Sequence, residues 1–369
     1  MKSDSASRLK SVGAGLLRWG LFLLVLWYVA TQARSLWDVN RDIDVRVDWK
    51  YLVAAGVLSQ LSWLPSTWFW QRLIELLGDR NLRRYPLIRA YFCGSLGKYV
   101  PGKAAVILIR SALAKRHGVS FVRASIASMV EAGAVMLVGC VVTIALAVTV
   151  IPPEAVPAWF IEAVPRETTS WSHLLIAVAV LLLAMPIVAM PANWIFKKIT
   201  RIVEKRSRQD SQPDSGDADV SAEPATTGES PSCKLTWQFL AEASLMFALS
   251  WAGHGLSLLL VLRAMNPEVM TIDNWLIATA AAAAGTSIGF FAVFAPGGLA
   301  VREGLIITML APSTGGPIAV AAAGLYRLVS LGAESLAALI LYLAPSKVGS
   351  VLPDYLSSNS TVENDRRSD

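Results

Sequence analysis

Lys98, Lys103, Arg110, Glu131, Arg302, Glu303, Arg327 and Glu334 all fall within or beside long apolar stretches. A charge at the centre of a bilayer costs about 2.5–3.5 kcal/mol on insertion scales, so each of these needs a partner or a task. Lys103, Arg110, Arg302 and Arg327 have the chemistry to hold a phosphate, Arg through its planar two-pronged guanidinium. Glu131 and Glu303 would balance or gate these cations. Arg327 and Glu334 are seven residues apart, which sets them on one face of a helix. The competing reading makes all of these ion pairs that lock helices together, with Lys98 and Arg110 snorkelling to the membrane surface.

Other chemistries find less support. Cys93, Cys140 and Cys233, like His117, His173 and His254, are scattered without metal-ligand or disulfide spacing. Neither a metal nor any other cofactor is expected. The stretch from Gly94 to Tyr99 lacks the spacing and the Ser/Thr of a nucleotide-binding loop. His254 reads as a packed residue on an apolar face. Asp42-Ile43-Asp44 could hold a metal in an enzyme that transfers sugars from a lipid carrier. Asp217-Ala218-Asp219 sits in a polar stretch and reads as compositional.

The elements that must position these residues are membrane helices. Of the 369 residues, 54% are hydrophobic and only 16% charged, with a mean hydropathy of +0.50. That is too little charge to cover a soluble domain of this length. The expected fold is all-α: a polytopic integral membrane protein with about six full spans and two re-entrant hairpins arranged as an inverted repeat. The full spans are drawn at Leu16–Thr31, Tyr51–Trp70, Ala124–Ile151, Trp171–Met190, Trp237–Leu262 and Pro317–Ala344, each about the 20 residues that cross a bilayer, or somewhat more. Two further apolar stretches, Tyr91–Ser111 and Trp275–Leu310, are broken by Pro101-Gly102 and by Pro296-Gly297-Gly298. Pro removes a backbone donor and Gly weakens a helix. Broken backbone survives at membrane depth only where protein or a watery cavity satisfies it, so both stretches read as hairpins.

Lys and Arg set the orientation. Arg83, Arg84 and Arg89 precede the first hairpin, and Lys115, Arg116 and Arg123 follow it. Both flanks are therefore cytoplasmic. The second hairpin lacks such flanks and enters from outside. The net charge of +6 fits basic cytoplasmic loops and needs no nucleic acid. Both termini fall in the cytoplasm, and the protein belongs in the inner membrane. The expected organisation is an anchor helix and external loop over 1–50, a first membrane repeat over 51–208 and a second over 236–345. A disordered linker, 209–235, separates the repeats, and a tail covers 346–369. The linker is rich in Asp, Ser, Pro, Gly and Thr and cannot bury enough surface to fold.

The two broken stretches resemble each other. Tyr99–Val106 reads YVPGKAAV and Phe294–Val301 reads FAPGGLAV, so Pro, Gly, Ala and Val recur at one fixed offset. Gly94 and Gly289 match at the same offset. Each half then continues into a long span carrying a charge, Glu131 in one and Arg327 in the other. The charge pattern puts one hairpin on each side of the membrane, which makes the repeats inverted. Inverted repeats with interrupted helices meeting near the midplane characterise secondary transporters.

Pro101-Gly102-Lys103 followed by Arg110, and Pro296-Gly297-Gly298-Leu299-Ala300-Val301-Arg302-Glu303-Gly304 followed by Tyr326-Arg327, resemble the lysylphosphatidylglycerol synthase transmembrane-region family. The resemblance covers about residues 14 to 345. It implies a flippase-like protein that moves an anionic lipid or lipid-linked headgroup between leaflets, with a phospholipid, glycolipid or polyprenyl phosphate as its ligand and a lipid-modifying enzyme as a possible partner. No soluble aminoacyl-transferase domain follows the membrane region up to Asp369, so synthesis of lysyl-phosphatidylglycerol is not expected, and the protein is read as a carrier and not an enzyme. Ala300 stands where the family more usually has Gly. The alternatives are a membrane glycosyltransferase using Asp42 and Asp44, or a non-transporting subunit that scaffolds a lipid-modifying enzyme.

Overall fold

The computed structural model describes residues 47–79, 82–99, 104–150, 198, 236–291 and 301–344. These residues are helical, with no strand among them. The expected spans Leu16–Thr31 and Trp171–Met190, the linker and the tail lie outside them. So do Lys103, both Pro-Gly breaks (Pro101 and Gly102; Pro296, Gly297 and Gly298), and Asp42 and Asp44.

The first half opens with α1 (Trp49–Leu61) and α2 (Leu64–Leu76). Asp48 caps α1, its carboxylate accepting from the Lys50 backbone N–H at 3.0 Å. The sequence reading drew one span from Tyr51 to Trp70. The chain instead breaks its helical ladder at Ser62–Trp63 and runs on to Leu76. Pro65, in the first turn of α2, has no N–H to continue the ladder. Next come α3 (Arg84–Ser95) with a 3-10 turn at Leu96–Tyr99, α4 (Ala104–Lys115) and the long α5 (Phe121–Val150).

The second half repeats this order. Helix α6 (Trp237–Met265) is capped by Thr236, whose hydroxyl accepts from Phe239 N–H. Then follow α7 (Ile272–Phe291), α8 (Val301–Thr314) and α9 (Gly316–Leu343). Gly315 turns the chain between the last two at a φ of 84°, a region that Gly enters without the Cβ penalty. Helices α5, α6 and α9 are long and apolar enough to cross a membrane, three such among the described residues.

Helices α3 and α4 form a hairpin, and so do α7 and α8. In the first, the arms touch through glycine. A Cβ on Gly94 would come within 2.9 Å of the Arg110 Cα, and one on Gly97 within 2.8 Å of the Val106 backbone nitrogen. In the second, a Cβ on Gly285 would come within 2.9 Å of the Arg302 carbonyl oxygen. The alanine run on α7 is fully buried where that helix packs among α5, α6 and α8. Small residues there let the backbones approach closely.

The halves pack reciprocally. Helix α5 of the first half lies on α7 of the second, and α9 of the second lies on α3 of the first. Helix α1 contacts α9 just as α6 contacts α5. The two opening helices run antiparallel. Asp48 N–H donates to Ala264 O at 2.9 Å, Ser257 Oγ to Ala55 O at 2.8 Å, and Ser250 Oγ to Ser62 O. As the chain advances along α1 it recedes along α6, so the opening helices of the two halves point in opposite directions.

Candidate functional site

A cavity of about 440 Å³ lies where the halves meet. Its lining draws on both hairpins and on the long helices behind them. Aromatic rings from Trp63, Tyr91, Tyr99, Trp251 and Tyr326 form much of its wall. Lys98, Arg110, Arg302 and Arg327 line it too, with Glu131 and Glu334. Residues 235 positions apart in sequence meet here, as the Tyr99–Glu334 hydrogen bond shows.

Each half holds an ion pair between the second arm of its hairpin and its last helix. In the first half, Arg110 of α4 donates to Glu131 of α5 at 2.9 Å, with side chains 6% and 5% exposed. Tyr91 donates its hydroxyl to the other oxygen of the same carboxylate at 2.8 Å. The Arg110 guanidinium also stacks over the Tyr91 ring, 3.8 Å from its centroid. In the second half, Arg327 of α9 donates to Glu303 of α8 at 2.5 Å. The arrangement is the same with the charges exchanged: cation on the arm in one half, anion on the arm in the other. A buried pair of this kind balances its own charge, and removing one member strands the other in a low-dielectric site.

A third pair joins the halves. Lys98 Nζ, on the 3-10 turn, lies 2.5 Å from Glu334 Oε2 on α9. Tyr99 donates its hydroxyl to the same oxygen at 2.8 Å. Arg302 has no carboxylate partner among the described residues. It lies 5.3 Å from the centroid of the Tyr326 ring. His254, packed edge-on against Trp63, also lines the cavity, and its Nε2 has no hydrogen-bond partner.

The structure therefore brings together Arg110, Arg302, Arg327 and Glu131 around one space, with Glu303 bonded to Arg327 behind it. It overturns the snorkelling reading of Arg110, which is buried under Tyr91 and reaches a carboxylate, not a membrane surface. Lys98 likewise turns to Glu334. Tyr91, Tyr99 and Tyr326 were missed as site residues, because an aromatic ring in an apolar run carries no sign of what its hydroxyl touches. His254 was read as a packed residue; the packing is there, but so is the cavity. Among the described residues no group of His, Cys, Asp and Glu could hold a metal ion.

An all-helical protein with apolar spanning helices, two reciprocal halves and charge gathered at their junction is a membrane protein built around an internal polar site. Residues 14–338 match the family described as the lysylphosphatidylglycerol synthase TM region, and the chain belongs to that family. The family ties the protein to lipid metabolism at a membrane. Comparison with curated proteins and with solved structures found no match.

Proposed function

We propose that the protein is a flippase-like carrier, not an enzyme: it binds an anionic lipid or lipid-linked headgroup in the cavity between its halves and helps it cross the inner membrane. The observation that carries this reading is the gathering of four cationic side chains from both halves around one 440 Å³ space. Structural ion pairs alone would leave no reason for a cavity of headgroup size beside them.

The antiparallel relation of the halves supports movement across the bilayer. If α6 and the α1–α2 pair both span, the axis relating the halves lies in the membrane plane. The two hairpins then enter from opposite sides. Rocking one half against the other would present the same site first to one leaflet and then to the other. The arms of the first hairpin, α3 and α4, have 12 residues each. At 1.5 Å per residue each is about 18 Å long, short of a hydrocarbon core about 30 Å thick, which favours a re-entrant placement. The basic residues flanking this hairpin favour its entry from the cytoplasm, with both termini on that side.

The test is reconstitution of the purified protein into liposomes with fluorescent phosphatidylglycerol and fluorescent polyprenyl phosphate, with dithionite quenching to count outer-leaflet label. Faster exchange of an anionic lipid, reduced in R302Q, is expected. Well-folded protein that accelerates none of them would sink the reading.

A further inference from the structure

Arg110 and Arg327 are each bound to a carboxylate of their own half. Both side chains are only 6% exposed. The other two cations differ. The Lys98 side chain is 38% exposed and its carboxylate partner comes from the opposite half. Arg302 lies against an aromatic ring and has no carboxylate partner among the described residues. Lys98–Glu334 is the one ion pair between the two halves among those residues.

We propose that Arg302 and Lys98 form the seat for a lipid phosphate, and that Glu334 is a resident counter-ion which the phosphate displaces from Lys98. This rests on the anionic-lipid reading above and narrows it to named residues and one step. The phosphate replaces one anion by another, so Lys98 is paired before and after; the cost falls on Glu334, whose side chain is 7% exposed and gives up its cation. Glu334 keeps the Tyr99 hydroxyl when Lys98 leaves. Arg302 gains the anion it lacks.

Three further features point to the same spot. Arg302 is in the first turn of α8, and Val106 and Ile107, near the start of α4, also line the cavity. First-turn N–H groups lack helical partners and favour anions. His254, 5% exposed with an unpartnered Nε2, lines the same cavity as Arg302 and Lys98 and can hydrogen-bond a headgroup oxygen. The exchange has a mechanical result as well: seating the ligand parts an ion pair that ties the first hairpin to α9, while Arg110–Glu131 and Arg327–Glu303 stay closed within their halves. The ligand thus loosens the halves from each other without loosening either half.

Calorimetric titration of the full-length protein in neutral detergent tests this, with dihexanoyl phosphatidylglycerol as the lipid probe and glycerol 3-phosphate and inorganic phosphate as soluble probes. K98Q and R302Q should each weaken lipid binding about tenfold, the scale of one lost charge-assisted hydrogen bond. K98R should restore part of it. E334Q should bind about tenfold more tightly, because the competing carboxylate is gone. E334D, which draws the carboxylate back from Lys98 without removing a charge, should shift binding in the same direction and serves if E334Q does not fold. Wild-type binding that K98Q leaves unchanged, or that E334Q and E334D weaken, overturns the exchange and leaves the carrier reading standing. Soluble phosphate that binds as tightly as the lipid overturns the lipid source. A wild type that binds no anionic lipid brings down the carrier reading and this inference together.

Discussion

Replacing Arg110 by Met strands Glu131, a carboxylate 4% exposed, without its cation. The loss has two parts. The 2.9 Å ion pair disappears, and so does the guanidinium over Tyr91 at 3.8 Å. Breaking one side of a buried pair costs about 3–5 kcal/mol, and a desolvated cation–π contact is worth about 2 kcal/mol, partly the same energy. The Tyr91 hydroxyl remains to satisfy one carboxylate oxygen, so R110M should destabilise the protein by about 3–4 kcal/mol. Removing both charges in R110M/E131M should cost far less, within about 1 kcal/mol of wild type, because no unpaired charge is left. The assay is reversible unfolding in mixed micelles, followed by tryptophan fluorescence, with both single variants and the double. A double variant as unstable as R110M would refute the reasoning. It would show that the cost lies in lost packing and that the charges do not support each other.

The second pair gives a companion case. E303R and R327E should each be unstable, whereas the exchanged pair E303R/R327E should recover most of the melting temperature, because the contact survives with its charges swapped. Gly94→Ala and Gly97→Ala each place a methyl group against the backbone of the facing arm and should cost about 1–3 kcal/mol in the same unfolding assay, while Gly304→Ala, with open space beside it, should cost little. His117, exposed in the turn between α4 and α5, is held below its ordinary value near 6.5 by partial desolvation of its ring and by Arg89, Arg116 and Arg83. The unfolded chain therefore binds this proton more readily, and stability from this group is present above pH 6.5 and lost as pH falls through the lower folded value. Melting temperatures from pH 7.5 to 5 should fall less for H117Q than for wild type; equal falls would refute the assignment.

Much of the helical layout was legible because a membrane imposes it. Apolar runs of bilayer length must be helical, and α5, α6 and α9 begin and end within about three residues of the expected spans. The repeat was read from YVPGKAAV and FAPGGLAV, whose Pro-Gly breaks lie outside the described residues; the structure adds a shared order of paired helices followed by a long one. The kink at Ser62–Trp63 was missed. Pro65 was visible, but hydropathy is blind to one missing backbone hydrogen bond.

For the site, the sequence by itself determined which residues carry charge where charge is costly: Arg110, Glu131, Arg302, Glu303, Arg327 and Glu334. It could not decide their partners. Glu131 is 21 positions from Arg110 and Glu334 is 236 from Lys98, and only the packing of α3 against α9 and of α4 against α5 converts those separations into contacts under 3 Å. Which cation is left without a carboxylate, and which pair ties the halves together, are properties of that packing. Coulomb energy depends on distance and burial, and neither is written along the chain.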